Sequence, residues 1–194
     1  MHMQPITLEG QTIRLEPLAA HHAADLAEVA QPILFIHHGL IPEFSVAGLE
    51  AYIHKLNARA GTVAFAQVLK ETGKAIGGTT YMNIEEHNRG LEIGTTWLAK
   101  AVQGTMVNPE AKYLLLRHAF EDQDAIRVQL RTDSRNMQSQ RAIEKLGAQK
   151  EGILRNHMVM PDGYLRHTVV YSITPDEWPA IKARLEARLG DAPN

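Results

Sequence analysis

The sequence predicts a single mixed α/β domain whose central, mostly antiparallel sheet is covered by helices. Three observations predict it. The first half carries short strand-like segments separated by turn signals, the pattern of an antiparallel meander. The second half switches to strand, helix, strand, so the sheet must be mixed. The 194 residues show no fixed-period repeat and no Gly/Ser/Pro-rich linker, and one domain accommodates them.

Residues 11–16 (QTIRLE) alternate as a half-buried strand, and Pro17 ends it. Helices follow at 19–30 and 46–60. The loop between them, 31–45, carries Pro32, Gly39 and Pro42; its apolar content (Phe35, Ile36, Phe44) implies that it packs over something. Residues 62–69 (TVAFAQVL) form a strand, 71–74 a turn in which glycine supplies the positive φ, and 75–84 the return strand. Residues 90–98 (GLEIGTTWL) add another, with Gly94 as the candidate bulge. A helix opens at Asn108-Pro109-Glu110: Asn suits the N-cap, Pro the first helical position and Glu the positive helix end. Residues 126–132 (IRVQLRT) alternate as a strand, and 137–146 form a short helix stopped by Gly147. Residues 148–160 and 164–173 make a hairpin, and Thr174 with Glu177 forms the capping box of a last helix.

Hydrophobic residues make up 44% of the chain, enough for a proper core. There is no cysteine, which excludes disulfides, thiolate metal sites and a cysteine nucleophile. The opening MHMQPITLEG has neither a basic n-region nor an apolar h-region, so no signal peptide is expected. Apolar runs fall short of the roughly 18–20 residues that span a bilayer. The expected location is cytoplasmic, with no membrane partner. Lys+Arg 20 against Asp+Glu 22 gives a net charge of −2 without a basic stripe, which argues against a nucleic-acid partner. The ten histidines include the adjacent pairs His21-His22 and His37-His38, which point apart on a helix. No His-Glu-x-x-His motif appears, and no metal is expected. A serine-hydrolase elbow, Gly-x-Ser-x-Gly, is also missing from the sequence.

Two segments carry the chemistry. In 97–110 (WLAKAVQGTMVNPE) a strand ends, a loop follows and a helix begins, and helix N-termini bind phosphates through free N–H groups and the dipole. On its own the segment equally fits an ordinary strand-to-helix turn. In 133–148 (DSRNMQSQRAIEKLGA) a second strand leads to a helix with Asn136 and Ser139 one turn apart. Asn136 suits hydrogen bonding to an amide-bearing ligand; taken alone, it fits a plain N-cap better, and Ser139 a solvated position.

Together the two segments resemble the GNAT superfamily, and more narrowly its branch similar to the ribosomal-protein-alanine N-acetyltransferases. The matching residues are Thr7–Leu18 (TLEGQTIRLEPL), Glu92-Ile93-Gly94 with Trp97-Leu98, Asn108-x-Glu110-Ala111-Lys112, and Asn136-x-x-Ser139 followed by Leu146-Gly147-Ala148. The match runs in the family's order over nearly the whole chain. The resemblance implies a GNAT-like fold across residues 1–194, acetyl-CoA as co-substrate and no metal. It implies direct acetyl transfer to a primary amine within a ternary complex, the amine being a protein N-terminus or a small molecule. A homodimer is compatible with it.

The resemblance also assigns residues. The family's pyrophosphate loop, Gln/Arg-x-x-Gly-x-Gly/Ala, becomes Gln103-Gly104-Thr105-Met106-Val107-Asn108 here. Met106 and Asn108 stand where small residues are expected, and Gly104 is the candidate replacement. Asn136 and Ser139 join the coenzyme site, and backbone N–H groups near Thr96, Trp97 and Leu98 would stabilise an oxyanion. Glu92 is the expected general base. Ile143 occupies the position of the tyrosine that serves many relatives as general acid, which leaves Ser139 for that role. The substrate mouth is expected between loop 31–45 and the hairpin tip 156–164, lined by Phe35, His37, Phe44, Met158 and Tyr164 and flanked by His38 and His157. The departures at Met106, Asn108 and Ile143 also fit a rival reading, a non-catalytic acyl-CoA-binding or sensory module.

Overall fold

The computed structural model describes residues 1–190. Eight strands form one sheet in the order β1-β2-β3-β4-β5-β6-β8-β7. β1 (Leu8–Glu9), β2 (Ile13–Pro17), β3 (Val63–Leu69), β4 (Ala75–Glu85) and β5 (Gly90–Leu98) follow one another antiparallel. β6 (Arg127–Asp133) lies parallel to β5, β8 (Leu165–Ile173) antiparallel to β6, and β7 (Gln149–Val159) forms the edge. The mixed sheet expected from the sequence is therefore present.

Alternation along the strands sorts side chains to two faces. Phe65, on β3, enters a large apolar cluster with α3 (Val107–Arg117), α4 (Met137–Leu146) and α5 (Trp178–Gly190). Its neighbours Ala64 and Ala66 enter a second cluster with α1 (Ala23–Val29) and α2 (Val46–Asn57). That second cluster also contains Phe35 and Trp97, so loop 31–45 is welded to β5 on the face opposite α3. Each large apolar side chain buried this way contributes about 1.5–3 kcal/mol.

Local sequence misreads three places. The first strand is preceded by β1, making a hairpin whose turn is held by the buried Glu110 carboxylate. Glu110 accepts from the amides of Gln11 and Thr12 instead of serving its own helix end. A side chain at Gly10 would strike that carboxylate, since a Cβ there would lie 2.2 Å from Oε1. The second is α3, which starts at Val107 with Met106 as its N-cap, so Asn108 and Pro109 lie inside the first turn. The Thr105 hydroxyl takes over the capping, accepting from the Val107 amide at 3.3 Å while donating to the Val102 carbonyl at 2.7 Å. The third is the first helix, which opens as a 3₁₀ turn, Ala20–His22, before α1. Among the described residues no helix is long and apolar enough to cross a membrane.

Candidate active site

The sheet opens at its middle. β5 and β6 pair in parallel from Gly90↔Arg127 only as far as Ile93↔Leu130. Beyond that point β5 stays with β4 to Leu98, and β6 stays with β8 to Asp133. The parting coincides with a bulge, but Gly94 is not its centre. Gly94 pairs with Thr80 and Trp97 with Gly78, so Thr95 and Thr96 together oppose Thr79. Thr95 takes a φ of 48°, in the left-handed region that a β-branched residue rarely visits. The Ala99 amide donates to Ile76, on the β4 side. Strand alternation therefore turns the N–H and C=O of Leu98 the other way, towards the gap. The side-chain amide of Gln103 occupies that Leu98 carbonyl at 3.0 Å.

On one side of the gap lies the N-terminus of α3. The approach loop is exposed at Gln103, Gly104 and Thr105, and Gly104 has a φ of 79° that favours glycine. Asn108 turns inward, where its buried Oδ1 has no hydrogen-bond partner among the described residues. One turn later, Lys112 is buried and donates to Thr96 Oγ1 at 2.8 Å, and that hydroxyl meets Thr79 Oγ1 at 2.8 Å. Burial lowers the Lys112 pKa to about 7. The sequence reading gives this lysine no role, although its position four residues before Leu116 places it on the apolar helix face.

The N-terminus of α4 adjoins the same strand ends. Asn136 is its N-cap, with Oδ1 accepting from the Ser139 amide at 3.0 Å, which leaves its NH₂ group as donor. Ser139 is half-exposed, whereas Ile143 is buried in the core and has no proton to give.

The opposite face of the gap is polar. Glu92 is buried, and its Oε2 gathers Arg131 at 2.6 Å, Asn83 at 2.8 Å and Gln129 at 3.5 Å; Oε1 takes part in none of these contacts. Asp133 is fully buried against Arg135 at 2.9 Å. Burial raises the Asp133 pKa, but the Arg135 hydrogen bonds and charge outweigh it and hold the carboxyl below the usual range. Arg166, also buried, donates to Thr168 Oγ1 at 3.0 Å and to the His37 carbonyl at 3.1 Å. His157 meets Thr168 Oγ1 at 3.1 Å. Burial first, and then Arg131 and Arg166, lowers the His157 pKa against the influence of Glu92.

Loop 31–45 and the β7–β8 hairpin meet over this floor. Arg166 ties the loop to β8, His37 Nδ1 lies 3.5 Å from Asp133, and a Cβ at Gly39 would lie 3.2 Å from the Met158 methyl. At the hairpin tip the Arg135 guanidinium stacks 3.4 Å from the Tyr164 ring centroid. Phe44 is partly exposed, but Phe35 is fully buried at 5.0 Å from Trp97 and 5.8 Å from Phe44. Phe35 thus backs this wall and does not line it. The β7–β8 hairpin itself carries an open groove of about 860 Å³, bounded by Ile153, Asn156, His157 and His167.

The histidines contain one further correction. On the 3₁₀ turn His21 and His22 do not point apart: their ring centroids lie 3.9 Å apart, and with Glu16 they form a compact group. His22 is nonetheless fully engaged, Nδ1 with the Ala19 amide and Nε2 with Glu16, which is also held by Arg14.

The comparisons agree with this architecture. The family described as "Acetyltransferase (GNAT) domain" matches residues 12–149. YdaF of Bacillus subtilis, named provisionally as a ribosomal N-acetyltransferase, is 30% identical over 110 residues, covering 57% of this chain. That stretch spans 59% of YdaF's own length. A crystal structure from T. thermophilus, described provisionally as an acetyltransferase, is 42% identical with a TM-score of 0.91, covering 97% of this chain and 100% of that one. Mycobacterium smegmatis RimJ, solved in complex with CoA-disulfide, shares the fold at 22% identity and a TM-score of 0.78, over 96% of this chain and 95% of that one. The chain belongs to the GNAT acetyltransferase family.

Proposed function

We propose that this chain transfers an acetyl group from acetyl-CoA to a primary amine. The observation that carries the reading is the parted sheet: a helix N-terminus flanks one side of the gap and a buried carboxylate floor the other. The residues present fit coenzyme A. The exposed Gly104–Thr105 turn at the positive end of α3 suits a pyrophosphate. The Asn108 Oδ1 and the Asn136 NH₂, neither with a partner among the described residues, suit the donors and acceptors of a pantetheine arm. The CoA-disulfide held by RimJ, a protein of the same fold, supports the same choice.

Acetyl-CoA, when bound, supplies an activated thioester carbonyl. The chain's residues do the rest. Glu92 accepts a proton from the substrate ammonium at Oε1, directly or through water, while Oε2 stays fixed by Arg131 and Asn83. The Leu98 N–H, turned towards the gap, donates to oxygen that gains negative charge. Ser139, at the mouth of α4, passes to the departing sulfur the proton that the attacking nitrogen sheds as the C–S bond breaks and the amide forms. His37, Phe44, Met158 and Tyr164 flank the acceptor, with Phe35 as backing. The open groove beside His157 favours a peptide N-terminus over an enclosed small amine, as the name of YdaF also suggests.

The test is release of free thiol from acetyl-CoA in the presence of peptide N-termini, amino acids and polyamines. Amine-dependent release with an acetylated product supports transfer. Tight coenzyme binding with no release for any amine supports the rival, a non-catalytic acyl-CoA module.

A further inference from the structure

Arg166 is a buried cation that has no counter-ion among the described residues. It is 8% exposed, and its two hydrogen bonds go to neutral oxygens, the Thr168 hydroxyl and the His37 carbonyl. Among the described residues it makes no ion pair, because the neighbouring carboxylates are already taken. Glu92 belongs to Arg131 and Asp133 to Arg135, at 2.6 and 2.9 Å. These four charges are the ones that act on Arg166. Three guanidinium groups against two carboxylates leave one positive charge in excess on the acceptor floor. His38 does not add to it at neutral pH, since burial holds its pKa near 4.

A buried charge is ordinarily paired, because taking it out of water is costly and a counter-charge recovers the loss. Nε and Nη1 of Arg166 are engaged, whereas Nη2 has no partner among the described residues. A planar guanidinium is suited to a carboxylate in a way that an ammonium is not. Resting on the transferase reading above, we propose that Arg166 receives a carboxylate of the acceptor. The substrate is then an amine with an acidic group close by, either an acidic side chain early in a peptide or the α-carboxylate of a free amino acid.

The experiment compares acceptors that differ only in charge. Peptides beginning Ala-Asp or Ala-Glu are set against Ala-Asn or Ala-Gln, and free alanine against alaninamide, with kcat/KM read from thiol release. The wild-type protein should favour the acidic member of a pair by roughly 10- to 100-fold, the worth of a hydrogen-bonded charge. The peptide pairs and the alanine pair distinguish the two carboxylate sources. In Arg166→Gln the acid-to-amide ratio should fall towards one, mainly through KM, and Arg166→Lys should restore part of it. A wild-type ratio near one, or a ratio unchanged in Arg166→Gln, overturns the proposal while leaving acetyl transfer intact. Calorimetric binding of the acetylated peptides to the CoA-loaded protein gives a readout free of turnover. Selective binding of the acidic product with no transfer supports the Arg166 site and rejects the transferase reading; equal binding of acid and amide rejects the Arg166 site.

Discussion

The two sides of the parted sheet are built differently. On the side proposed for the coenzyme, the donor side, backbone groups dominate: two helix N-termini, a glycine in the left-handed region and the Leu98 amide turned towards the gap, with the side chains of Asn108 and Asn136 beside them. The side proposed for the acceptor, the acceptor side, consists of side chains contributed by β5, β6, β8 and loop 31–45, held by the Glu92–Arg131 ion pair across strands, the local Asp133–Arg135 pair and the Arg166 hydrogen bond to the His37 carbonyl. Contact made through backbone groups tolerates exchange of the side chains around it wherever the backbone can still be approached. Side-chain recognition does not, so the acceptor side should be the specific and fragile one.

The largest effect is expected there. Arg131→Met removes the strongest partner of a buried carboxylate and should destabilise the fold by about 3 kcal/mol, the lower end for an orphaned buried charge. Urea denaturation measures it, and a loss below about 1 kcal/mol would mean that water or Asn83 already satisfies Glu92. On the donor side, Gly104→Val forces a β-branched residue to a φ of 79° at a cost of about 1–2 kcal/mol. If coenzyme binding requires this conformation, affinity should fall roughly tenfold while acceptor KM stays put. An unchanged affinity would remove Gly104 from the phosphate site.

A third expectation concerns Lys112, which belongs to the donor side yet is charged. Its folded pKa of about 7 lies below the ordinary 10.5, so the unfolded chain holds the extra proton between those values. Stability from this group is therefore lowest below pH 7 and rises as pH climbs towards 10.5. Lys112→Met, unbranched and similar in length, should be more stable than wild type at pH 7 and should lose that rise between pH 7 and 9. Equal slopes in denaturation at the two pH values would contradict it. The smallest effect is expected at Phe44, partly exposed on the wall: Phe44→Ala should raise acceptor KM a few-fold with little change in coenzyme affinity.

The contrast between the sides also explains what the sequence reveals. The helix α4, from Met137 to Leu146, and its Gly147 cap at a φ of 103° are legible because caps and periodicity are local. The start of α3 is misleading because Asn108-Pro109 imitates an N-terminus, whereas the Thr105 hydroxyl provides it. Arg131 and Arg166 stay hidden for a different reason. In alternating strands such as IRVQLRT the polar positions read as a solvated face, and only the fold reveals that loop 31–45 covers that face. Phe35 shows the converse: the composition of its loop says that it packs over something, but its partner Trp97 is 62 positions away in sequence.

The separation of the two sides is tested most directly with Glu92→Gln, assayed at once for acetyl-CoA-induced rise in melting temperature and for amine-dependent thiol release. The substitution keeps shape and removes basicity. The coenzyme shift should survive nearly unchanged, and turnover should fall by roughly 10²- to 10⁴-fold. Near wild-type turnover would move the proton transfer to water or to another residue, and loss of the coenzyme shift would show that the two sides are not separate.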